Sequence, residues 1–160
     1  KKLIKIAKEL ENIEFTIVTS LIENNQKLPK NVTFIKGDWN NTILTDQKIK
    51  KLYQSSRLTI LPIKKNTITS SGQSVALQSL AAGTPVVINK NPGFWEQDST
   101  AESLGIQLVE NSVNEWCNLI SELYTNEKKL LDLSKKGSEE LKNNHDIRLF
   151  HNAMENLIVS

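Results

Sequence analysis

Five short runs of β-branched and apolar residues, parted by helical stretches and polar loops, limit what this chain can fold into. Glu14-Phe15-Thr16-Ile17-Val18-Thr19, Val32-Thr33-Phe34-Ile35, Leu58-Thr59-Ile60-Leu61, Val86-Val87-Ile88 and Ile106-Gln107-Leu108-Val109 read as strands. Leu3, Ile4, Ile6, Ala7 and Leu10 fall on one side of a helix over 1–11, and Ile49, Leu52 and Tyr53 on another that Thr45 or Asp46 can cap. Residues 74–82 are helical and small, and the remainder is helical over 113–124, 127–142 and 147–158. Short strands, apolar on both faces and separated by helices, require a parallel sheet covered on both sides. Right-handed crossovers then give a doubly wound, Rossmann-like α/β domain.

Such sheets bind ligands outside the carboxyl ends of their strands. The loops 37–42, 62–73 and 89–97 are therefore where chemistry is expected. A chain of 160 residues suits one domain over 1–160. It buries roughly two thirds of its unfolded surface, enough to fold without disulfides or a structural metal. The single cysteine, Cys117, has no internal partner, and Trp116, Leu119, Ile120 and Leu123 around it predict a buried thiol.

Twenty Lys+Arg against 18 Asp+Glu leave a formal charge of +2, too balanced to argue for nucleic acid. Lys48, Lys50, Lys51, Lys64 and Lys65 are interrupted by apolar residues and read as solvated helix face and loop. No apolar run reaches the roughly 18 residues of a membrane span, and the N-terminus lacks a signal-peptide layout. A cytoplasmic chain is expected. It opens inside a helical pattern, so a piece of a longer protein is expected too.

The most informative stretch runs from Ser70 to Val87. A loop from the third strand crosses the sheet's carboxyl edge and enters a helix near Gly72. Gly72 lets a ligand approach the backbone. Ser71 and Ser74 place hydroxyls beside the free amides of a helix N-terminus, an arrangement suited to a diphosphate. The same serines also serve as plain caps, and Ala81-Ala82-Gly83 as a tight helix–sheet contact. Gln78, a turn further on, is the one polar side chain longer than serine between Ser74 and Ala82.

This stretch resembles the core motif of the retaining glycosyltransferases of the two-domain GT-B fold called family 4 or group 1. That motif has two glutamates with seven residues between them, a small-residue helix end and Gly-Thr-Pro-Val-Val. Leu80-Ala81-Ala82-Gly83-Thr84-Pro85-Val86-Val87 follows it closely. Val32-Thr33-Phe34-Ile35-Lys36-Gly37 is similar to the strand before the family's base-binding loop, and Gly93 with Glu96 to its later glycine-and-glutamate turn. The likeness covers about residues 12–125. It implies a donor-binding C-terminal domain, with the acceptor domain and the first strand, carrying phosphate-binding Arg and Lys, lying before Lys1.

The family's glutamates fall on Ser70 and Gln78. By the resemblance, Gln78 holds the ribose and Ser70, as the catalytic position, approaches the donor sugar. Gly37, Asp38 and Trp39 cover the base, and Ser71, Gly72, Gln73 and Ser74 hold the diphosphate. No cofactor and no metal are expected: Asp38, Asp46, Asp98, Asp132 and Asp146 form no Asp-x-Asp pair, and no Gly-x-Gly-x-x-Gly or Gly-x-x-x-x-Gly-Lys loop occurs. Trp95 and Phe94 are expected near the cleft between domains, or packed. The expected function is transfer from a nucleoside-diphosphate sugar to a saccharide or lipid-linked acceptor in glycan or envelope polysaccharide synthesis. The full-length protein would act in the cytoplasm or at the inner face of the membrane. The isolated domain would be inactive. A non-catalytic homologue lacking both glutamates is the competing reading, and a sugar-nucleotide epimerase of the same fold a third.

Overall fold

The computed structural model describes residues 2–20, 28–37, 44–64, 69, 71–94 and 99–159. In chain order the elements are α1 (Lys2–Glu9), β1 (Phe15–Thr19), β2 (Val32–Lys36), α2 (Asp46–Ser55), β3 (Thr59–Leu61) and α3 (Gln73–Ala81). There follow β4 (Val86–Asn89), a 3₁₀ turn (Ser99–Leu104), β5 (Ile106–Val109), α4 (Val113–Thr125), α5 (Glu127–Asn144) and α6 (Ile147–Val159). Of the two candidate caps of α2, Thr45 serves, its hydroxyl accepting from the Lys48 amide at 3.4 Å. α4 opens with Ser112 as N-cap, whose Oγ accepts from the Glu115 amide at 3.2 Å and donates to Glu115 Oε2 at 2.6 Å.

Among the described residues every strand pairing is parallel: β1 with β2, and β4 with both β3 and β5. The expected single sheet is thus present as two ladders, ordered β1-β2 and β3-β4-β5, with no hydrogen-bonded register between β1 and β3. Helices and sheet close around two clusters that divide along β4. Val87 joins Ile4, Ile6, Ala7, Phe15, Trp116, Ile120 and Leu123 beneath α1 and α4. Val86 and Ile88, on the opposite face, join Ala76, Leu80, Phe94 and Ile106 beneath α3. This is the two-faced burial that period-2 alternation produces in a strand covered on both sides.

Cover on both faces holds for β4, which is buried throughout, but not for β1. There Phe15 is buried and Val18 is 48% exposed. Trp116 is fully enclosed, as its helical neighbours predict. Cys117 is half-buried, and burial, followed by the nearby Glu9 charge, pushes its thiol pKa up.

One buried polar residue fastens the first turn of the fold. Asn31 is 5% exposed, and its Nδ2 donates to the carbonyls of Ala7, Leu10 and Ile13 at 3.0, 2.9 and 2.8 Å. Ala7 lies in the last turn of α1 and Leu10 and Ile13 in the turn that follows, so Asn31 ties the exit of α1 to the start of β2.

Candidate functional site

The Gly83-Thr84-Pro85 segment builds the far end of the site's helix. Gly83, at φ 86°, takes the left-handed conformation that ends α3. Its amide donates to the Leu80 carbonyl at 3.0 Å, and the Thr84 amide to that of Ser79 at 2.9 Å, the two bonds of a Schellman cap. Around this exit the Ser79 hydroxyl donates to the Thr84 carbonyl at 2.9 Å and lies 2.8 Å from Thr59 Oγ1. Thr84 Oγ1 donates to the Tyr53 carbonyl at 2.7 Å, and Ser134 Oγ to the Gly83 carbonyl at 2.7 Å. Residues Leu80–Val87, which carry the family likeness most strongly, therefore lie at the amino ends of β3 and β4. Their work is to stop a helix, launch a strand and bind α2, α3, α5 and β3 together.

The chemistry expected of this stretch lies at the other end of α3. The helix begins at Gln73, one residue earlier than its spacing predicts, and Gly72 occupies the N-cap. Gly72 is left-handed at φ 83°, with Ile88 Cδ1, Ile63 Cδ1 and Leu61 Cδ1 at 3.3, 3.4 and 3.6 Å from where a Cβ would stand. It thus seats the helix start directly on the carboxyl ends of β3 and β4. The first intrahelical bond is Ala76 N–H to the Gly72 carbonyl at 2.8 Å. The N-cap glycine supplies no side-chain bond to the first turn, and the leading amides of a helix are donors suited to an anion.

Ser71 is half-buried, while Ser74 and Gln78 are both exposed. Spaced four apart, Ser74 and Gln78 share one helix face, so Gln78 stands a turn behind the amides on the same solvent side. Gln73 points elsewhere: its Nε2 donates to the Gly93 carbonyl at 3.3 Å and joins α3 to the loop after β4. Gly37 extends the β1–β2 ladder, its amide donating to the Thr19 carbonyl at 3.0 Å. Ser70, Asp38 and Trp39 lie outside the described residues, as do Trp95 and Glu96.

The loop after β4 holds residues that spacing and motif did not single out. Asn89 and Asn91 are both buried. Asn91 Oδ1 accepts from the Gly93 amide at 3.1 Å, and Asn91 Nδ2 donates to the Asn89 carbonyl at 3.3 Å. This Asx turn drives Phe94, 2% exposed, down into the cluster beneath α3. The Asn-Pro-Gly run at 91–93 is the sequence signal that could have located it.

A shallow cavity of about 250 Å³ opens at the opposite edge of the sheet, lined by Gln54, Arg57, Thr84, Pro85, Glu127 and Ser134. Doubly wound sheets do not bind ligands at that end. Among the described residues no three His, Cys, Asp or Glu side chains gather into a metal site. No described helix is long and apolar enough to cross a membrane.

Comparison with known proteins agrees with this architecture. The chain superposes on a glycosyltransferase from Rickettsia africae ESF-5 with a TM-score of 0.71 at 14% identity, covering 99% of this chain and 42% of that one. It superposes on sucrose-phosphate synthase from Thermosynechococcus elongatus with a TM-score of 0.72 at 17% identity, covering 98% and 40%. At these identities the likeness establishes the Rossmann-like GT-B fold, and the chain spans about two fifths of either protein. No curated protein matches it by sequence. Residues 1–140 do match the family described as Glycosyl transferases group 1, and the chain belongs to that family.

Proposed function

We propose that this chain carries the donor site of a retaining, metal-independent glycosyltransferase of the family 4 type, and that it is the C-terminal domain of a two-domain enzyme. The observation that carries the reading is the start of α3. That helix begins at a glycine N-cap on the carboxyl edge of the sheet, where the glycine packs against the side chains of Leu61, Ile63 and Ile88. A nucleoside diphosphate presents the charge such a terminus favours.

In the proposed reaction the bond between the anomeric carbon and the β-phosphate oxygen breaks, and negative charge grows on the departing diphosphate. Amides fixed at the start of α3, with Ser71 and Ser74, stabilise that charge without reorganising. Gln78 bonds the ribose hydroxyls, Ser70 approaches the sugar, and Gly37, Asp38 and Trp39 enclose the base. Groups that bind a saccharide or lipid-linked acceptor come from the other domain, so this chain alone binds donor without transferring sugar.

Thermal denaturation against UDP, GDP, ADP and their sugar conjugates tests the reading. Ligand at one hundred times its dissociation constant adds about 2.7 kcal/mol, a rise of about 5–10 °C for a domain of this size. A rise with one base and its conjugates establishes the donor site. Gln78 is exposed. Gln78→Ala should therefore leave stability within about 0.5 kcal/mol of the parent and shrink the rise; an unchanged rise removes the ribose role. The second reading, a binding module without catalysis, is favoured by Ser70 and Gln78 standing where the family has glutamates. Nucleotide binding by a full-length protein that transfers no sugar would select it.

A further inference from the structure

We infer, resting on the reading of α3 as the donor site, that Asn91 is a positioning residue of that site: it aims the Gly93 carbonyl at Gln73 and so holds the first residue of α3.

A buried amide side chain is costly unless its donors and acceptor are used. Asn91 is 3% exposed; its Oδ1 accepts from the Gly93 amide at 3.1 Å and its Nδ2 donates to the Asn89 carbonyl at 3.3 Å. Its main-chain carbonyl accepts from the Phe94 amide at 3.2 Å. Gly93 is thereby held on both sides. The Asn91 side chain fixes the peptide plane before it, and the Asn91 carbonyl fixes the plane after it. A trans peptide points its N–H and C=O in opposite directions, so the Phe94 bond turns the Gly93 carbonyl away from Asn91. That carbonyl accepts from Gln73 Nε2 at 3.3 Å. Glycine has the widest backbone freedom of any residue and would not keep this direction unaided.

The tie stands where the other helices have a cap. Thr45, Ser112 and Asn126 each accept from an amide three residues on, at the starts of α2, α4 and α5. Gly72 has no side chain to do so for α3. A side-chain cap occupies one leading amide of its helix. The Gln73 tie occupies none, because it runs through Nε2. Phe94 completes the hold: it is 2% exposed and packs in one cluster with Ala76 and Leu80 of α3. The loop after β4 thus grips α3 at its first residue and along its buried face. Asn91 itself acts only through Gly93 and Gln73.

Two measurements on the parent chain, Asn91→Ala, Gln73→Met and the double variant test this. Amide exchange at Ala76, whose bond to Gly72 is the first within α3, reports the helix start without nucleotide. Titration with UDP, GDP and ADP reports the site. Each single variant should speed Ala76 exchange, and weaken the nucleotide that the parent binds, by about fivefold, the worth of one hydrogen bond. The double variant should lose no more than the weaker single variant, since both act through one bond. Asn91→Asp keeps an acceptor for the Gly93 amide and should stay closer to the parent than Asn91→Ala does. If Asn91→Ala does not fold, Gln73→Met and Asn91→Asp supply both readouts. Unchanged Ala76 exchange, or losses that add in the double variant, overturns the tie. Faster exchange with undiminished affinity overturns its role in the site. A parent that binds none of the three nucleotides overturns the donor reading and the role of Asn91 with it, while the Ala76 rates still show whether the tie exists.

Discussion

Asn31 offers the sharpest test of how the first βα unit is held. Its Nδ2 has two hydrogens and faces three carbonyls, those of Ala7, Leu10 and Ile13, all within 3.0 Å. Two full bonds and a shared third amount to about 2–3 kcal/mol at the usual net value, and Asn31→Ala loses them together. At about 2–4 °C per kcal/mol the midpoint falls by about 4–12 °C. Asn31→Asp keeps the size and inverts the chemistry, since an ionised carboxylate sets acceptor oxygens against three carbonyls. It should be less stable than Asn31→Ala at neutral pH. The new carboxyl group holds its proton longer in the folded state than its ordinary pKa of about 3.9, so the folded form binds the extra proton. Its handicap is therefore smallest below about pH 4 and grows as pH rises toward the raised value. Circular dichroism melts of the three proteins across pH decide the matter. An alanine variant within about 0.5 kcal/mol of the parent, or an aspartate variant as stable as alanine at neutral pH, refutes the three-carbonyl clamp.

Three further outcomes are expected. Gly72→Ala imposes a left-handed alanine at a cost of about 1–2 kcal/mol, and its methyl meets side-chain tips of Ile88, Ile63 and Leu61 at 3.3–3.6 Å. Urea denaturation should register that loss, and the nucleotide-induced rise in Tm should shrink with it. Thr84→Val removes the 2.7 Å donor to the Tyr53 carbonyl, which keeps the Ser56 amide at 2.9 Å, and should cost about 0.5–1.5 kcal/mol, whereas Thr84→Ser keeps the hydroxyl and should cost less in the same assay. Hydrogen bonds from the Arg148 side chain, then its backbone amide, hold the Asp146 carboxyl at about 2, against 3.8 ordinarily. Whatever stability that depressed pKa brings is present above the ordinary value and lost as pH falls toward about 2. Arg148→Ala should move the carboxyl titration, read by NMR, back toward 3.8.

The strands were legible because each is a β-branched run closed by a breaker. Even three-residue β3 stands out between Leu58 and Pro62. The 3₁₀ turn at Ser99–Leu104 was not, since Ser-Thr-Ala-Glu-Ser-Leu has no apolar period to read. Asn31 carries no sequence signal: what makes it structural is the approach of three carbonyls from the end of α1 and the turn after it, more than a dozen residues earlier. The interruption between β1 and β3 was hidden for the same reason, because pairing partners are set by contacts remote in sequence. Within the candidate site the helix start was readable from glycine and small polar residues. Gln73 was assigned beside the diphosphate, yet its side chain is drawn off to Gly93.

What was most recognisable in the sequence and what is chemically useful in the fold lie at opposite ends of one helix. α3 has nine residues, about 13 Å of helix. Its exit is fixed by the Schellman cap and by bonds to β3, α2 and α5 through Ser79, Thr84 and Ser134. A helix that short transmits a fixed exit into a fixed start, so the amides at Gly72 and Gln73 are aimed from the far side of the sheet. Electrostatic stabilisation of a leaving diphosphate depends on dipoles that need not reorient. Under the proposed donor site, a motif whose conspicuous part is Gly-Thr-Pro-Val-Val would mark a reaction none of those residues touches: the pattern specifies the anchor, and the anchor positions the amides.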